Sequence, residues 1–209
     1  MSEFENISIE IPASIGQLYD KHLPDPDLLQ FYKQLGRREI VLNQEVNDDI
    51  SGFSFLIREW NLEDYGKPVE ERKPIKFFIN TDGGDMTTMY FLSDVISTSK
   101  TPVYTIGMSR CYSAGGILLM SGKKRFVFKN TSVLIHDGYV DISGPAGKSS
   151  DTAEFCDQLK KNTLQFIIEH TNITKKKLEE NYRKDWFIYS EDIIKYGIAD
   201  EIITNLEEI

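Results

Sequence analysis

Cysteine is nearly missing from this chain. Cys111 and Cys156 are the only two in 209 residues, and neither sits in a CxxC pair or a Cys/His cluster. That excludes a disulfide framework and a zinc site and leaves two thiols expected to be buried. Long apolar runs are missing too. None approaches the ~20 residues that span a bilayer, and the opening MSEFENISIEIP has neither a basic leader nor a hydrophobic signal core. A cytoplasmic location with no membrane partner is expected. Positive charge is also short: 33 carboxylates against 24 Lys and Arg give a net charge of -9, the wrong sign for holding nucleic acid or an anionic membrane. Histidine is scarce, with His22, His136 and His170 the only three. Any imidazole chemistry therefore has few candidates.

What is present suits one well-packed domain. The chain is 40% hydrophobic, with no linker-like stretch in its middle and no repeat at a fixed period. Short β-like runs alternate with amphipathic stretches. REIVLNQ (37 to 44) reads as a strand, followed by a helix capped by Asn47 or Asp48 with Ile50, Phe53, Ile57 and Trp60 on one face. GKPVEERKP (66 to 74) is a charged, exposed connection. IKFFIN is a buried strand, TDGG a turn, and Met89, Leu92 and Ile96 the stripe of a second helix. PVYTIG (102 to 107) is a further strand, and CYSAGGILLMSG (111 to 122) a third helix. KRFVFK and SVLIH are two more strands, and a long helix runs from about 148 to 171, with Phe155, Leu159, Phe166 and Ile167 available for core packing. This alternation implies an α/β fold with helices covering a largely parallel sheet.

In such folds chemistry gathers where strands end and helices begin, and three junctions carry informative residues. In INTDGGD (79 to 85) the chain turns through Gly83 and Gly84, where backbone amides can approach an anionic oxygen. An ordinary strand-to-helix turn accounts for the same glycines. At the second, Ser113 stands before Ala114, Gly115 and Gly116, small residues that suit a helix pressed against another element. Its hydroxyl is either an N-cap or an exposed nucleophile beside two unsatisfied helix-end amides, its own and that of Ala114. At the third, VLIHDGY, an apolar strand ends at His136, the candidate base.

These motifs, in this order, resemble the ClpP family of serine peptidases, the proteolytic chamber subunits of Clp proteases. The resemblance covers about residues 38 to 205 through FFINTDGG, YSAGGILLMSG, NTSVLIH and KDWFIYSEDIIKYGIADEII, with 23 residues from Ser113 to His136 and 49 more to Asp185. It implies the ClpP/crotonase-type α/β spiral of β-β-α units, with 147 to 170 as a protruding handle helix. It also implies Ser113 as nucleophile, His136 as general base and Asp185 as the group orienting the imidazole. Gly83 and Ala114 would supply oxyanion-hole amides. No metal or cofactor is called for. Substrates would be peptides or unfolded proteins, cut inside a homo-oligomer: a seven-membered ring, stacked in pairs as a tetradecamer. The domain is expected over 37–209, behind a divergent segment 1–36 that does not match the family's N-terminus, so an AAA+ unfoldase is a candidate partner only.

The sequence departs from the family at Asp82, where proline is usual, at Asp137-Gly138 in place of Gln-Pro, and at Arg183-Lys184, where an Asp-Arg pair commonly couples the rings. Asp137 and Asp141 are rival carboxylates. Asp137 adjoins the histidine and would point to the opposite face of a strand, which favours Asp185. Three competing readings use the same fold. A crotonase-like acyl-CoA enzyme would share the oxyanion hole without needing the triad, and a silent ring subunit would lack a triad residue. A Ser-Lys dyad would have to use Lys123 or Lys124, both too close behind the serine helix.

Overall fold

A computed structural model of the chain describes residues 25–140 and 142–209. The chain divides into Met1–Arg37 and Arg38–Ile209. Of the first unit, the described part is α1 (Pro26–Arg37), opened by Asp25, whose carboxylate accepts from the Asp27 amide at 2.9 Å and whose carbonyl accepts from Leu29 at 3.0 Å. No residue of α1 is buried, and Leu28, Leu29, Phe31 and Tyr32 are exposed.

The second unit is built on one sheet, with seven strands among the described residues in the order β1-β2-β3-β4-β7, β5 and β6 branching from β3. The strands are β1 (Glu39–Leu42), β2 (Ile75–Thr81), β3 (Val103–Tyr112), β4 (Lys124–Phe128), β5 (Ser132–Ile135), β6 (Trp186–Tyr189) and β7 (Glu201–Ile203). Every pairing is parallel except β5 with β6, which agrees with the largely parallel sheet expected. β2 shows why the interior forms: Ile75, Phe77, Ile79 and Thr81 are buried while the alternating Lys76, Phe78 and Asn80 are half-buried, as a central strand covered on both faces requires.

β3 runs five residues past the expected PVYTIG and makes a fork. Its first half pairs with β4 and its second half, Arg110 to Tyr112, with β5. The divergence is filled by Thr131, whose hydroxyl donates to the Gly107 carbonyl at 2.8 Å and lies near the Met108 carbonyl at 3.1 Å. The polar run SRCY conceals this extension in the sequence.

Helices α2 (Gly52–Glu63), α3 (Met86–Thr98), α4 (Ala114–Met120), α5 (Ala146–His170), α6 (Lys175–Asn181) and α7 (Ser190–Lys195) complete the unit. Asn47 caps a short 3-10 turn (Asp48–Ser51) rather than α2 itself. Ile50, Ile57 and Trp60 are buried as the spacing predicts, and Phe53 meets Phe77 edge-on at 5.8 Å. α5 is anchored near its C-terminal half, where Tyr90 Oη donates to the Leu159 carbonyl at 2.8 Å and contacts Thr163 Oγ1 at 2.6 Å. Only Thr163 and Ile167 of α5 are buried. Phe155, expected in the core, is exposed, because this helix projects from the body rather than packing along its whole length.

One buried charge cluster braces the second unit. Arg38 Nη1 contacts Asp64 Oδ2 at 2.5 Å, and Nη2 contacts Asp64 Oδ1 at 3.2 Å and Glu63 at 2.9 Å. Lys67 and the Thr101 hydroxyl add donors to Asp64 at 2.8 and 3.1 Å. Asp64 is 1% exposed, and the Arg38 guanidinium holds its carboxyl well below the usual range, against the opposing pull of burial.

Candidate active site

Ser113 joins the end of β3 to the start of α4 with φ 52° and ψ -119°, a conformation that costs a non-glycine residue on the order of 1–3 kcal/mol and is held only where surroundings impose it. Three features impose it. The Ser113 amide donates to the Leu134 carbonyl of β5 at 2.9 Å, tying the turn to the strand that ends beside His136. α4 is buried at every position and packs closely on β2, so that a Cβ at Gly115 would lie 2.5 Å from Thr81 Cγ2. At Gly116 a Cβ would lie 3.2 Å from the Cys111 carbonyl oxygen. The small residues after Ser113 thus let the helix approach, as expected. The capping alternative fails: the Ser113 hydroxyl makes no cap hydrogen bond. The expectation of a free Ser113 amide fails as well, since Leu134 takes it.

Ser113 and His136 line the same cleft, of about 610 Å³. His136 stands just beyond β5, and β6 brings Asp185 alongside through the antiparallel pairing of Ile135 with Trp186. His136 Nδ1 lies 3.6 Å from Asp185 Oδ1. On the other side of the ring, Nε2 is buried and has no hydrogen-bond partner among the described residues. The imidazole is thus placed between a carboxylate and a cleft holding a serine, with its second nitrogen unspent. The Nδ1–Asp185 separation is longer than a hydrogen bond, as catalytic contacts commonly are without substrate.

Asp137 also lines the cleft but faces Lys160 Nζ at 3.9 Å; Asp141 lies outside the described residues. His170 closes α5, with Nδ1 2.9 Å from the Phe166 carbonyl and its ring stacked on Phe166 at 3.8 Å. His22 lies outside the described residues. Lys123 and Lys124 do not line the cleft, and Lys124 extends over the Phe126 ring. Neither of these two lysines is placed to serve a Ser-Lys dyad.

The glycine turn differs from expectation in which amide is free. Gly83 is buried and its N–H donates to Thr81 Oγ1 at 3.1 Å. Gly84 lines the cleft. Around it Val46 receives and returns the strand-like bonds, its amide donating to the Gly83 carbonyl and its carbonyl accepting from Asp85, each at 2.7 Å. In extended backbone, successive groups alternate sides, so the Gly84 N–H points away from Val46, and it has no acceptor among the described residues. With φ at 144° and Val46 O directly against any added Cβ, only glycine fits there. Ala114, the first residue of α4, has an amide without an intrahelical partner. The sequence signal for Gly84 is the glycine pair itself; choosing between the two needs the Thr81 hydroxyl.

The cleft floor is apolar, with Met89, Ile117, Met120, Ile135 and Ile167 all buried. Tyr182, unremarked in the sequence, is 5% exposed there. Burial first, and the Asp137 charge second, push its phenol up to about 12, so it stays neutral. Cys156, expected to be buried, is half-buried and lines the cleft. Cys111 is fully buried, and burial pushes its thiol up to about 12. Among the described residues no group of three His, Cys, Asp or Glu could hold a metal ion, and no helix is long and apolar enough to cross a membrane.

Comparisons with known proteins show which family carries this fold and site. A family model described as Clp protease matches residues 26–206. The chain belongs to the Clp protease family. Its relatives include the ATP-dependent Clp protease proteolytic subunit 2 of Treponema denticola, 30% identical over 187 residues, 88% of this chain and 90% of that protein. The protein of the same name from Treponema pallidum is 30% identical over 188 residues, with 87% and 90% covered. In fold the Clp protease chain is similar to a mutant ClpP1 from Listeria monocytogenes, with a TM-score of 0.71, 23% identity, and 85% of this chain and 98% of that one covered. The protein is a serine endopeptidase of the Clp type. The acyl-CoA and silent-subunit readings are not favoured.

Proposed function

We propose that Ser113, His136 and Asp185 form the catalytic triad of this peptidase and that the amides of Gly84 and Ala114 bind the oxyanion. The observation that carries this is the imidazole itself: Nδ1 faces Asp185 at 3.6 Å while the buried Nε2 has no partner among the described residues and shares its cleft with Ser113. Ser113 Oγ attacks the scissile carbonyl as His136 Nε2 takes the hydroxyl proton. Asp185 holds the Nδ1–H tautomer and stabilises the imidazolium. The tetrahedral oxyanion receives the two amide hydrogen bonds. Its collapse breaks the C–N bond, and the leaving amine takes the proton from His136. Water then attacks the acyl ester by the same relay and releases the acid and Ser113. Gly84 replaces Gly83 in the oxyanion role because Thr81 already occupies the Gly83 amide.

Substrates are peptides and unfolded segments that can enter an apolar-floored cleft in extended form. We further infer a homo-oligomeric chamber, a seven-membered ring stacked in pairs, with an ATPase partner and a cytoplasmic location. The relatives' designation as proteolytic subunits of ATP-dependent proteases supports this, as do the projecting α5 and the exposed Phe55, Leu62, Tyr65 and Phe91 on and beside α2 and α3. Hydrolysis of a panel of fluorogenic peptides, with native mass measured on the same samples, tests the reading. Ser113→Ala and His136→Ala lose cleavage by several orders of magnitude while His170→Ala keeps it. Equal loss from all three variants contradicts the assignment.

A further inference from the structure

The ladder between β2 and β3 breaks just before the site. Ile79 is opposite Gly107, but Thr81 is opposite Cys111, so two steps along β2 match four along β3. Regular sheet bonding is therefore interrupted on the approach to the site and resumes only at the Thr81–Cys111 pair. Side chains bridge the gap instead. The Arg110 amide donates to Asn80 Oδ1 at 3.2 Å, and Asn80 Nδ2 donates to Asn43 Oδ1 at 2.6 Å. Arg110 Nη1 straddles both oxygens of Asp82, at 3.0 and 2.8 Å. Arg110 precedes the nucleophile by three residues on one strand, and Asp82 precedes the oxyanion amide by two on the other. Asp82 also lines the cleft.

We propose that the Asp82–Arg110 ion pair is a positioning device for catalysis, holding the Gly84 amide at the distance from Ser113 that the oxyanion requires. This rests on the reading of Gly84 as oxyanion donor. The pair is exposed, at 67% for the Asp82 side chain and 47% for Arg110, and such pairs add little to stability. Catalysis is more sensitive: a displacement of about 1 Å in a reacting group can cost on the order of 10²-fold, and losing an oxyanion donor altogether costs about 10²–10³-fold in kcat. The two sensitivities separate positioning from folding.

The test compares Arg110→Ala, Asp82→Asn and Arg110→Lys with the full-length parent, with Lys175→Ala, from an exposed α6 ion pair, as the control for lost charge. Arg110→Ala and Asp82→Asn are expected to lower kcat by roughly 10- to 100-fold with KM, Tm and native mass unchanged. Affinity for a peptide boronate, which presents the tetrahedral anion, falls by the same factor. Arg110→Lys restores most of the rate, and Lys175→Ala matches the parent. Should Arg110→Ala not assemble, Asp82→Asn, which keeps the side-chain shape, decides. A parental kcat in either variant overturns the proposal, as does a rate loss that tracks a loss of Tm. Fluorophosphonate labelling of the parent keeps the two layers apart. If Ser113 is not labelled, the site reading fails; if it is labelled and the variants turn over normally, only the positioning role fails.

Discussion

Gly115→Ala sets helix propensity against packing. Alanine in place of glycine favours a helix interior by about 1 kcal/mol, so with open space around Gly115 the substitution would stabilise the protein. The space is absent: the new Cβ would stand 2.5 Å from Thr81 Cγ2 and 3.5 Å from the Thr81 carbonyl oxygen. Threonine is β-branched and stiff, Thr81 is 2% exposed, and its hydroxyl is committed to the Gly83 amide, so it has little freedom to turn aside. Overpacking of this kind costs about 1–3 kcal/mol. The net effect is a loss of about 0–2 kcal/mol, and at ~2–4 °C per kcal/mol for a domain of this size a lower Tm. Thr81→Ser removes the opposing methyl and keeps the hydroxyl. In that background the clash is gone, and Gly115→Ala is expected to raise stability by about 1 kcal/mol. Urea unfolding of the four proteins in this cycle reads the sign directly. If Gly115→Ala has the same effect with and without Thr81→Ser, α4 is not pressed onto β2 as described.

Asp185→Asn is expected to lower kcat by up to ~10⁴ by favouring the wrong imidazole tautomer, whereas Asp137→Asn, which loses only Lys160, changes it far less; peptide kinetics on the pair decide the carboxylate. Asp64 makes stability pH-dependent. Because its folded carboxyl lies below the ordinary value of about 3.9, its contribution is complete above that value and is lost as pH falls below it. Asp64→Asn should cost about 3–5 kcal/mol at neutral pH, by leaving Arg38 without its buried partner, and should flatten the acid limb of a pH-stability curve followed by denaturant unfolding. For assembly, Arg183 and Lys184 are exposed beside Asp185. Stacking of rings through them against acidic partners is expected to weaken in high salt, with activity falling in parallel, since exposed charges are screened within roughly 8 Å at physiological strength. Sedimentation across a salt series would show a double ring indifferent to molar salt if that coupling is absent.

The parts of the fold that depend on local pattern are legible in the sequence. β2, α3, β4, β5 and α5 announce themselves through alternating or helical spacing of apolar residues, and Ser113, His136 and Asp185 through motif and order. What escapes depends on contacts between residues far apart in the chain. Arg38 and Asp64 are separated by 26 positions and Asp82 and Arg110 by 28, and nothing local to either pair signals the partner. Asp82 in particular stands where a proline is usual, and its local sequence does not show the ion pair with Arg110. α6 and β6 leave no local signal either. The helix KKKLEEN is polar apart from Leu178, and the strand WFIY has too few residues to show an alternation. The choice between Gly83 and Gly84 turns on a single hydroxyl, that of Thr81.

Mapping the site of a fluorophosphonate adduct tests the nucleophile and its base together. The full-length protein would be treated with the probe, digested and read by mass spectrometry, beside His136→Ala and Ser113→Ala. A triad built on Ser113 predicts one adduct on the peptide carrying that serine, formed much more slowly in His136→Ala and absent from Ser113→Ala. An adduct on any other residue, or labelling of Ser113 at the same rate without His136, would contradict it.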